Sequence, residues 1–298
     1  MKTNILFIIV AIAIMLASCQ KNITIPPPAY NGRVSIQSML EKNSFPVVYF
    51  NRTVPYFDKK VTFNDLVIRN AQITIKSSVG TDSLRLDSTY DRIYCEYDYY
   101  YKGLVPIQSD KVYTLTIRNG SDTYTATAQT NLLAPQIDSV SYTPAFEDLY
   151  GEHEGIIVYF KDVPSQTNFY RFEMTRYVDT TTKKASEVIA NSCLGRDSVK
   201  VIDIGRSVYS DGGLSGQPIK MVIEPAYTHK AGTPGVVYVT SFDKNAFDFF
   251  DQLDKQKQSQ FNPFVEPVFL QNGQFGGEVT GYFSAKTNST PVKFVFPE

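Results

Sequence analysis

Apolar and polar residues alternate along most of this chain in short runs, a pattern typical of half-buried β-strands. The clearest case is "VYTLTIRNGSDTYTATAQ", in which alternating runs at 112–117 and 123–127 flank Asn119 and Gly120. An Asn-Gly pair between two alternating runs is a strong signal for a tight hairpin turn. The segment therefore predicts two antiparallel strands joined at Asn119-Gly120.

Similar runs predict further strands. Asp162 and Pro164 predict a turn that joins "GIIVYFKDV" and "NFYRFEMTRYV" as a pair of strands. The runs are Val47–Asn51, Val67–Ile75, "GIIVYFKDV", "NFYRFEMTRYV", "PIKMVIEPAY", "GVVYVTSFD", "GYFSAK" and "VKFVF". Strands at this spacing, with no long helical period between them, are typical of a β-sandwich.

One segment has the period of a helix instead. In "KNAFDFFDQLDKQKQSQ", near 244–259, apolar residues recur on one face, and Asp243 or Asn245 is suited to cap the first turn. Pro135 in "NLLAPQIDSVSY" precedes another predicted strand and indicates a boundary between domains. We predict a mainly β protein with a β-sandwich domain at 34–131 and a β-rich domain at 132–298 that holds the helix.

The N-terminus carries export signals. Lys2 is followed by an uncharged apolar stretch that ends in Leu16-Ala17-Ser18-Cys19. The stretch is too short to span a bilayer, which takes about 20 residues, and its flanks fit a signal peptide. The ending resembles the bacterial lipobox, in which the cysteine thiol receives a diacylglycerol before a peptidase cuts ahead of it. We predict a signal peptide at 1–18 and lipid attachment at Cys19.

Residues 19–33 then form an acylated start and a tether with three consecutive prolines, which resist helix and central strand. Two or three acyl chains give stable membrane attachment. Gln20 stands where an aspartate commonly retains lipoproteins in the inner membrane, so outer-membrane sorting is favoured. Gln20-Lys21 partly resembles signals for surface export but lacks their acidic residues. Surface exposure is preferred, and a periplasmic position stays open.

The amino-acid composition and the net charge bear on the fold class and on the kind of partner that we expect. The chain has 20 Tyr, 20 Phe and no Trp, which together with many Thr and Val favours strands. Its formal net charge of −1 implies no basic face, so nucleic acid is excluded as the expected partner.

Besides the acylated Cys19, the predicted mature chain has two cysteines, Cys95 and Cys193. An oxidising envelope would permit a disulfide, but the two residues fall in different predicted domains. We expect two separate buried thiols, with the disulfide as the alternative. They lack Cys-x-x-Cys spacing, so neither a zinc site nor a redox pair is indicated.

The chain shows no motif for catalysis or for a cofactor. His153 lies between two glutamates in "GEHEG", which we interpret as a solvated turn because the His-Glu-x-x-His spacing of metalloproteases is absent. His229 is expected in a loop. "GGLSG" at 212–216 is not the Gly-x-Ser-x-Gly elbow of a hydrolase. We therefore expect no enzyme activity, no metal and no cofactor.

The stretch "CEYDYYYKG" is the strongest candidate for a contact surface. On a strand, Tyr97, Tyr99 and Tyr101 share one face, and Asp98 and Tyr100 share the other. Tyrosine suits stacking on sugars and anchoring of protein interfaces. The competing interpretation, which we favour, is a half-buried strand with one or two tyrosines exposed.

Several of these segments, in this order, resemble the outer-membrane lipoproteins catalogued as domain of unknown function family 4249. They include "NRTVPYFD" at 51–58, "YTLTIRNGSDTYTATAQT" at 113–130, "YFKDVPSQTNFYRFEM" at 159–174, "VTSFDKNAFDFFDQL" at 239–253 and "GGEVTGYFSA" at 276–285. The resemblance implies an immunoglobulin- or transthyretin-like first domain and a fibronectin-like second one. It also implies association with a TonB-dependent outer-membrane β-barrel, and it carries over no catalytic residue.

The expected function is that of a non-enzymatic, lipid-anchored outer-membrane protein, an accessory or ligand-capturing partner of such a transporter. The alternative is a structural, assembly or protein-interaction factor of the cell envelope.

Overall fold

The computed structural model describes residues 32–54, 61–148, 151–179, 193, 198–204, 208–225, 229–260, 270 and 273–297. The lipobox residues Leu16, Ala17, Ser18 and Cys19 lie outside this range. The described residues belong to one compact unit, Gly32–Glu298. None of the helices described within it is long and apolar enough to cross a membrane.

The described chain is mainly β, as predicted, with two helices and sixteen strands. The helices are α1 (Phe63–Leu66) and α2 (Lys244–Gln260). The strands are β1 (Val34–Glu41), β2 (Val47–Arg52), β3 (Gln72–Ser77), β4 (Gly80–Asp91), β5 (Glu96–Lys102), β6 (Val112–Asn119), β7 (Asp122–Gln129), β8 (Gln136–Asp148), β9 (Gly151–Lys161), β10 (Phe169–Asp179), β11 (Ser198–Ile204), β12 (Tyr209–Ser210), β13 (Pro218–Ile223), β14 (Pro234–Phe242), β15 (Val279–Asn288) and β16 (Val292–Val295).

Two sheets organise these strands. The larger one has the order β11-β10-β14-β15-β1-β2-β5-β4-β3-β6-β7, with β12 also paired to β10 and β16 to β14. The smaller one has the order β13-β9-β8. Strand β1 pairs in parallel with β15 from Val34↔Val279 to Glu41↔Lys286, while every other described pairing is antiparallel. The predicted boundary between residues 131 and 132 stays a prediction.

Two main hydrophobic cores lie against these sheets. One contains Ile36, Phe50, Leu115 and Phe283 among its fully buried residues, so β15 packs with strands from the first third of the chain. The other contains Phe160, Phe172 and Val237 and fills the space between β9 of the small sheet and β10 and β14 of the large one. This arrangement is consistent with a β-sandwich.

The β6–β7 hairpin is confirmed, with its loop one residue later than predicted. Asn119 pairs with Asp122, so the two-residue loop is Gly120-Ser121. Gly120 has a φ of 62°, and glycine is favoured at the first position of type II′ loops because that position requires a positive φ.

The predicted helix and its cap are also confirmed. Asp243 Oδ1 accepts hydrogen bonds from the backbone N–H groups of Asn245 and Ala246, at 3.0 and 3.2 Å. The same carboxylate accepts the Ser284 hydroxyl at 2.6 Å and the Ala285 N–H at 3.1 Å, which ties the start of α2 to β15. Burial raises the pKa of Asp243, and these hydrogen bonds partly offset that rise.

The predicted pairing of "GIIVYFKDV" with "NFYRFEMTRYV" is wrong. Both strands exist, as β9 and β10, but they lie in different sheets. The Phe160 ring on β9 contacts the rings of Tyr170 and Phe172 on β10, with centroids 5.0 and 5.2 Å apart. The two strands therefore face each other across the core, and the turn between them crosses from one sheet to the other.

The predicted strand Val67–Ile75 is wrong in its first half. A helical turn, α1, forms just before it, because the Asp65 carboxylate accepts hydrogen bonds from the Thr62 N–H and hydroxyl at 3.0 and 2.7 Å. Val67 then makes an isolated bridge to Asn51, and the regular strand begins at Gln72. The apolar residues at 67 and 68 mark contact with β2 and do not continue a strand.

Candidate functional site

The hairpin formed by β4 and β5 carries the candidate site. Seven register pairs join the two strands, from Arg85↔Lys102 to Asp91↔Glu96. Because side chains alternate along a strand, the hairpin has two chemically different faces, and both are rich in tyrosine.

The turn at the tip of this hairpin is fixed by local contacts. Asp91 Oδ1 accepts hydrogen bonds from the backbone N–H groups of Ile93 and Tyr94, at 2.7 and 3.1 Å. Cys95 closes the turn with a φ of 59°, a left-handed conformation that is uncommon for a residue other than glycine.

Cys95 also forms a disulfide with Cys193, 98 residues away. The expectation of two separate buried thiols is therefore wrong, and both cysteines are only half-buried. Arg92 Nη2 donates a hydrogen bond to the Cys193 carbonyl at 3.4 Å, and the Tyr90 hydroxyl lies 3.2 Å from Cys193 Sγ. A distant part of the chain thus holds the tip of the hairpin in place.

The first face carries the predicted tyrosines, and we call Tyr90, Tyr97 and Tyr99 the Tyr97 face. The Tyr90 and Tyr97 rings meet edge to face with centroids 5.2 Å apart, and the Tyr97 and Tyr99 centroids are 6.4 Å apart. The Arg69 guanidinium lies 4.1 Å from the centroid of the Tyr99 ring. Tyr97 is 53% exposed, so this face presents an aromatic surface to solvent.

Tyr101 does not belong to this surface, although it shares the strand face. It pairs with Val48 of β2 and is 2% exposed. Its hydroxyl donates to the Ile68 carbonyl at 2.8 Å and accepts from the Ala71 N–H at 3.2 Å, and burial raises its pKa. The half-buried strand is thus confirmed, and the candidate contact role of Tyr101 is wrong because β2 and residues 68–71 cover it.

The second face lines an open cleft of about 500 Å³, which we call the Asp98 cleft. Its walls are Val47, Tyr49, Thr89, Tyr90, Asp91, Arg92, Ile93, Asp98 and Tyr100. This volume is in the range of small-molecule sites, about 300–1,000 Å³.

Two tyrosine rings form a corner in this cleft. The Tyr49 and Tyr100 rings meet edge to face, with centroids 5.8 Å apart and planes inclined at 61°. The Tyr100 hydroxyl is held by Thr89 Oγ1 at 2.7 Å. The Asp98 carboxylate lies close enough to the Tyr49 hydroxyl to help raise the pKa of Tyr49. The hydrogen bond to Thr89 therefore holds the Tyr100 ring in place, with the Tyr49 ring packed against it.

The Asp98 carboxylate is partly desolvated. Burial raises its pKa, and the nearby negative charge of Asp91 raises it further, while contacts with the Tyr49 hydroxyl and the Tyr99 N–H oppose these effects. The pKa of Tyr49 is raised above its ordinary value by burial first and by Asp98 second. The cleft thus concentrates negative charge beside aromatic rings.

Sequence reasoning placed Asp98 and Tyr100 together but named the other face as the contact surface. The cleft could have been found from the same alternation, because an acidic residue and a tyrosine two positions apart on one face already indicate a polar aromatic surface. The contribution of Tyr49 could not have been found in this way, because Tyr49 reaches the site through the pairing of β2 with β5.

One of the two histidines does not lie where the sequence analysis placed it, whereas His229 lies in a loop, as predicted. His153 is on β9, not in a solvated turn, and its Nδ1 lies 3.4 Å from Glu224 Oε1. His229 stacks on Phe296 with centroids 3.7 Å apart, and its Nε2 lies 3.5 Å from Glu154 Oε2. No group of three or more His, Cys, Asp or Glu side chains suited to a metal occurs in the described ranges.

A buried polar network beside the β9–β10 turn is structural. Asp162 accepts hydrogen bonds from the Tyr170 hydroxyl at 2.7 Å and the Gly216 N–H at 2.9 Å. Asp211 accepts from the Asn168 N–H at 2.9 Å. Protein donors thus engage both carboxylates, and the network pins the turn to the loop at 211–217.

Comparison with known protein families gives a match over most of the chain. A family model described as "Domain of unknown function (DUF4249)" matches residues 20–291. No curated protein matches the chain.

Proposed function

The chain belongs to the DUF4249 family, and from this premise we propose that it is a lipid-anchored outer-membrane protein that captures a ligand for a TonB-dependent transporter. In this proposal the protein binds and presents the ligand and catalyses no reaction. The Asp98 cleft is the observation that carries the ligand-capturing part.

The disulfide supports export of the chain. Structural disulfides persist in oxidising compartments and are rare in the cytosol, and Cys95 is joined to Cys193. Cys19, at the end of the apolar leader, is the proposed site of lipid attachment. An anchored protein at the outer membrane agrees with both features.

The rigidity of the cleft supports capture. The Tyr100 ring is held by Thr89 and packs against Tyr49, and the hairpin that carries it is closed by the disulfide at its tip. A preorganised site loses little conformational freedom on binding, so more of its contact energy contributes to affinity. Small-molecule sites in proteins are commonly of this concave, preformed kind.

The experiment is co-purification from membranes with the native anchor intact. Recovery of a large β-barrel with the wild-type protein, and its loss with Cys19→Ala, is the expected result, because the variant lacks the membrane attachment. Metabolic labelling with a fatty acid checks the anchor itself. Continued labelling of Cys19→Ala would refute lipid attachment at this residue, and absence of any β-barrel would refute the transporter partnership.

A second function, a protein-interaction or assembly factor of the envelope, is favoured by the Tyr97 face. Tyrosine is enriched at the energetic centres of protein interfaces, and Tyr90 and Tyr97 are 43% and 53% exposed. In this case Tyr97→Ser should abolish recovery of the protein partner, while Tyr177→Ser, at an exposed tyrosine on β10, should not. Equal recovery with both variants would exclude the Tyr97 face.

A further inference from the structure

The Asp98 cleft has a surplus of negative charge. In the described part of the chain, Asp98 takes part in no ion pair, and Asp91 raises its pKa through their mutual repulsion. One oxygen of Asp91 accepts two backbone N–H groups of its own turn. Arg92 is the lining residue with a positive charge, and its Nη2 donates to the Cys193 carbonyl at the hairpin tip.

A positive charge in the cleft would lower the energy of this arrangement. An opposite charge within a few ångströms stabilises an ionised carboxylate, and the stabilisation grows where water is partly excluded. Asp98 is half-buried, so it has already lost part of its hydration. A bound cation would replace that hydration.

The ring geometry favours a compact cation over a flat neutral ligand. The faces of tyrosine rings carry negative potential and attract ammonium groups within about 6 Å of the ring centroid. Tyr49 and Tyr100, inclined at 61°, form two walls of a corner and cannot both lie flat against one sugar ring. With Asp98 as the third wall, the corner is shaped for a rounded, positively charged group.

We propose that the Asp98 cleft binds an organic cation, with a substituted ammonium group held in the corner that the Tyr49 and Tyr100 rings form beside the Asp98 carboxylate. This inference rests on the proposed capture function and names the ligand class for it.

The test uses choline as the cationic probe and 3,3-dimethylbutan-1-ol, its uncharged isostere, as the matched control. Binding to the full mature chain in detergent is measured by ligand-observed NMR titration. We expect choline to bind with a Kd of about 1 mM or tighter and the isostere to bind at least about tenfold more weakly. No choline binding at about 10 mM, or equal binding of the two probes, overturns the inference.

Variants locate the binding. Asp98→Asn should weaken choline binding at least about tenfold, while Asp138→Asn, an exposed carboxylate on β8, should leave it unchanged. Tyr100→Phe keeps the aromatic ring and should retain choline binding, whereas Tyr100→Leu should lose it. These two variants test the proposal independently if Asp98→Asn does not fold. Full binding by Asp98→Asn or by Tyr100→Leu contradicts the proposal.

A neutral disaccharide, cellobiose, separates this inference from the broader function. If cellobiose binds the cleft and choline does not, the ligand class is wrong and capture stands. Failure of the β-barrel to co-purify would instead refute the transporter role, whatever the cleft binds.

Discussion

Arg176 and Asp203 form an ion pair between neighbouring strands in which both side chains are almost fully buried, at 1% and 0% exposure. Arg176 Nε lies 2.6 Å from Asp203 Oδ2, and Nη2 lies 3.3 Å from Oδ1. The guanidinium carbon is also 5.6 Å from the centroid of the Phe296 ring. The pair therefore joins β10 to β11 beside the second core.

Removal of one partner of this pair should be costly. In Asp203→Leu the buried guanidinium loses its ion pair with Asp203, and breaking a buried pair in this way costs about 3–5 kcal/mol. The double variant Arg176→Met/Asp203→Leu should be clearly more stable than Asp203→Leu, because it removes both charges. Urea unfolding of the three proteins measures this, and a double variant less stable than the single one would contradict the explanation.

The disulfide should contribute strongly to stability. It closes a loop of 98 residues, and loss of a native disulfide typically costs about 2–5 kcal/mol, chiefly because the unfolded chain gains freedom. Cys95→Ala, Cys193→Ala and the double variant should all unfold at the same lowered urea concentration, since each removes the same bond. Dithiothreitol should lower the midpoint of the wild type and leave the variants unchanged. If reduction leaves the wild type unaffected, the predicted contribution is wrong.

Gly281 should tolerate no side chain. It stands opposite Ile36 in the parallel β1–β15 ladder with a φ of 123°. A Cβ there would lie 1.8 Å from the Ile36 carbonyl oxygen, so the two central strands would have to separate. Gly281→Ala should therefore lower the free energy of unfolding by about 3 kcal/mol or more.

Gly32→Ala is the matched control, because a Cβ at that glycine has no neighbour within 4 Å. Thermal unfolding of both variants makes the comparison. Similar midpoints for the two would show that the close approach at Gly281 does not limit the fold.

The stability of the protein should depend on pH through His229. Burial lowers the pKa of His229, and the positive charge of Arg176 lowers it further, while Glu154 and Asp203 oppose both. In the unfolded chain a histidine titrates near pH 6.5, so on acidification the unfolded state takes up the proton first. The free energy of unfolding should thus be greatest above about pH 6.5 and fall as the pH drops toward the folded-state pKa.

His229→Gln should flatten this part of the pH profile, because glutamine does not titrate. Urea unfolding at a series of pH values measures the slope, and NMR titration of the His229 ring gives the folded-state pKa directly. A slope unchanged in His229→Gln, or a ring pKa above the ordinary value, would refute the assignment.

Local sequence patterns predicted much of the secondary structure. Alternation with an Asn-Gly turn predicted the β6–β7 hairpin, and an apolar period with Asp243 ahead of it predicted α2, because each structure depends on neighbours in the sequence. Alternation shows which residues share a face, but it does not show which strand lies alongside. For this reason β9 and β10 were paired with each other in the prediction and lie in different sheets in the fold.

For the candidate site, too, the sequence predicted which residues share a strand face but not which other strands contact them. The face shared by Tyr97, Tyr99 and Tyr101 followed from the period of a strand, whereas the burial of Tyr101 depends on β2, which is brought there by pairing. The disulfide between Cys95 and Cys193 joins residues 98 positions apart, so no local sequence pattern indicates it. The same is true of the corner that Tyr49 makes with Tyr100.

The parallel pairing of β1 with β15 has a consequence for the order in which the molecule folds. Among the described strands, β1 is the first in sequence order and β15 is the last but one. Until β15 arrives, β1 has β2 on one edge and an unpaired row of N–H and C=O groups on the other, which is a template for wrong association. Pairing across so long a stretch of chain is slow because the loop must close first. The edge of β1 is therefore completed by a strand that lies far along the chain, and no early hairpin can make the large sheet continuous.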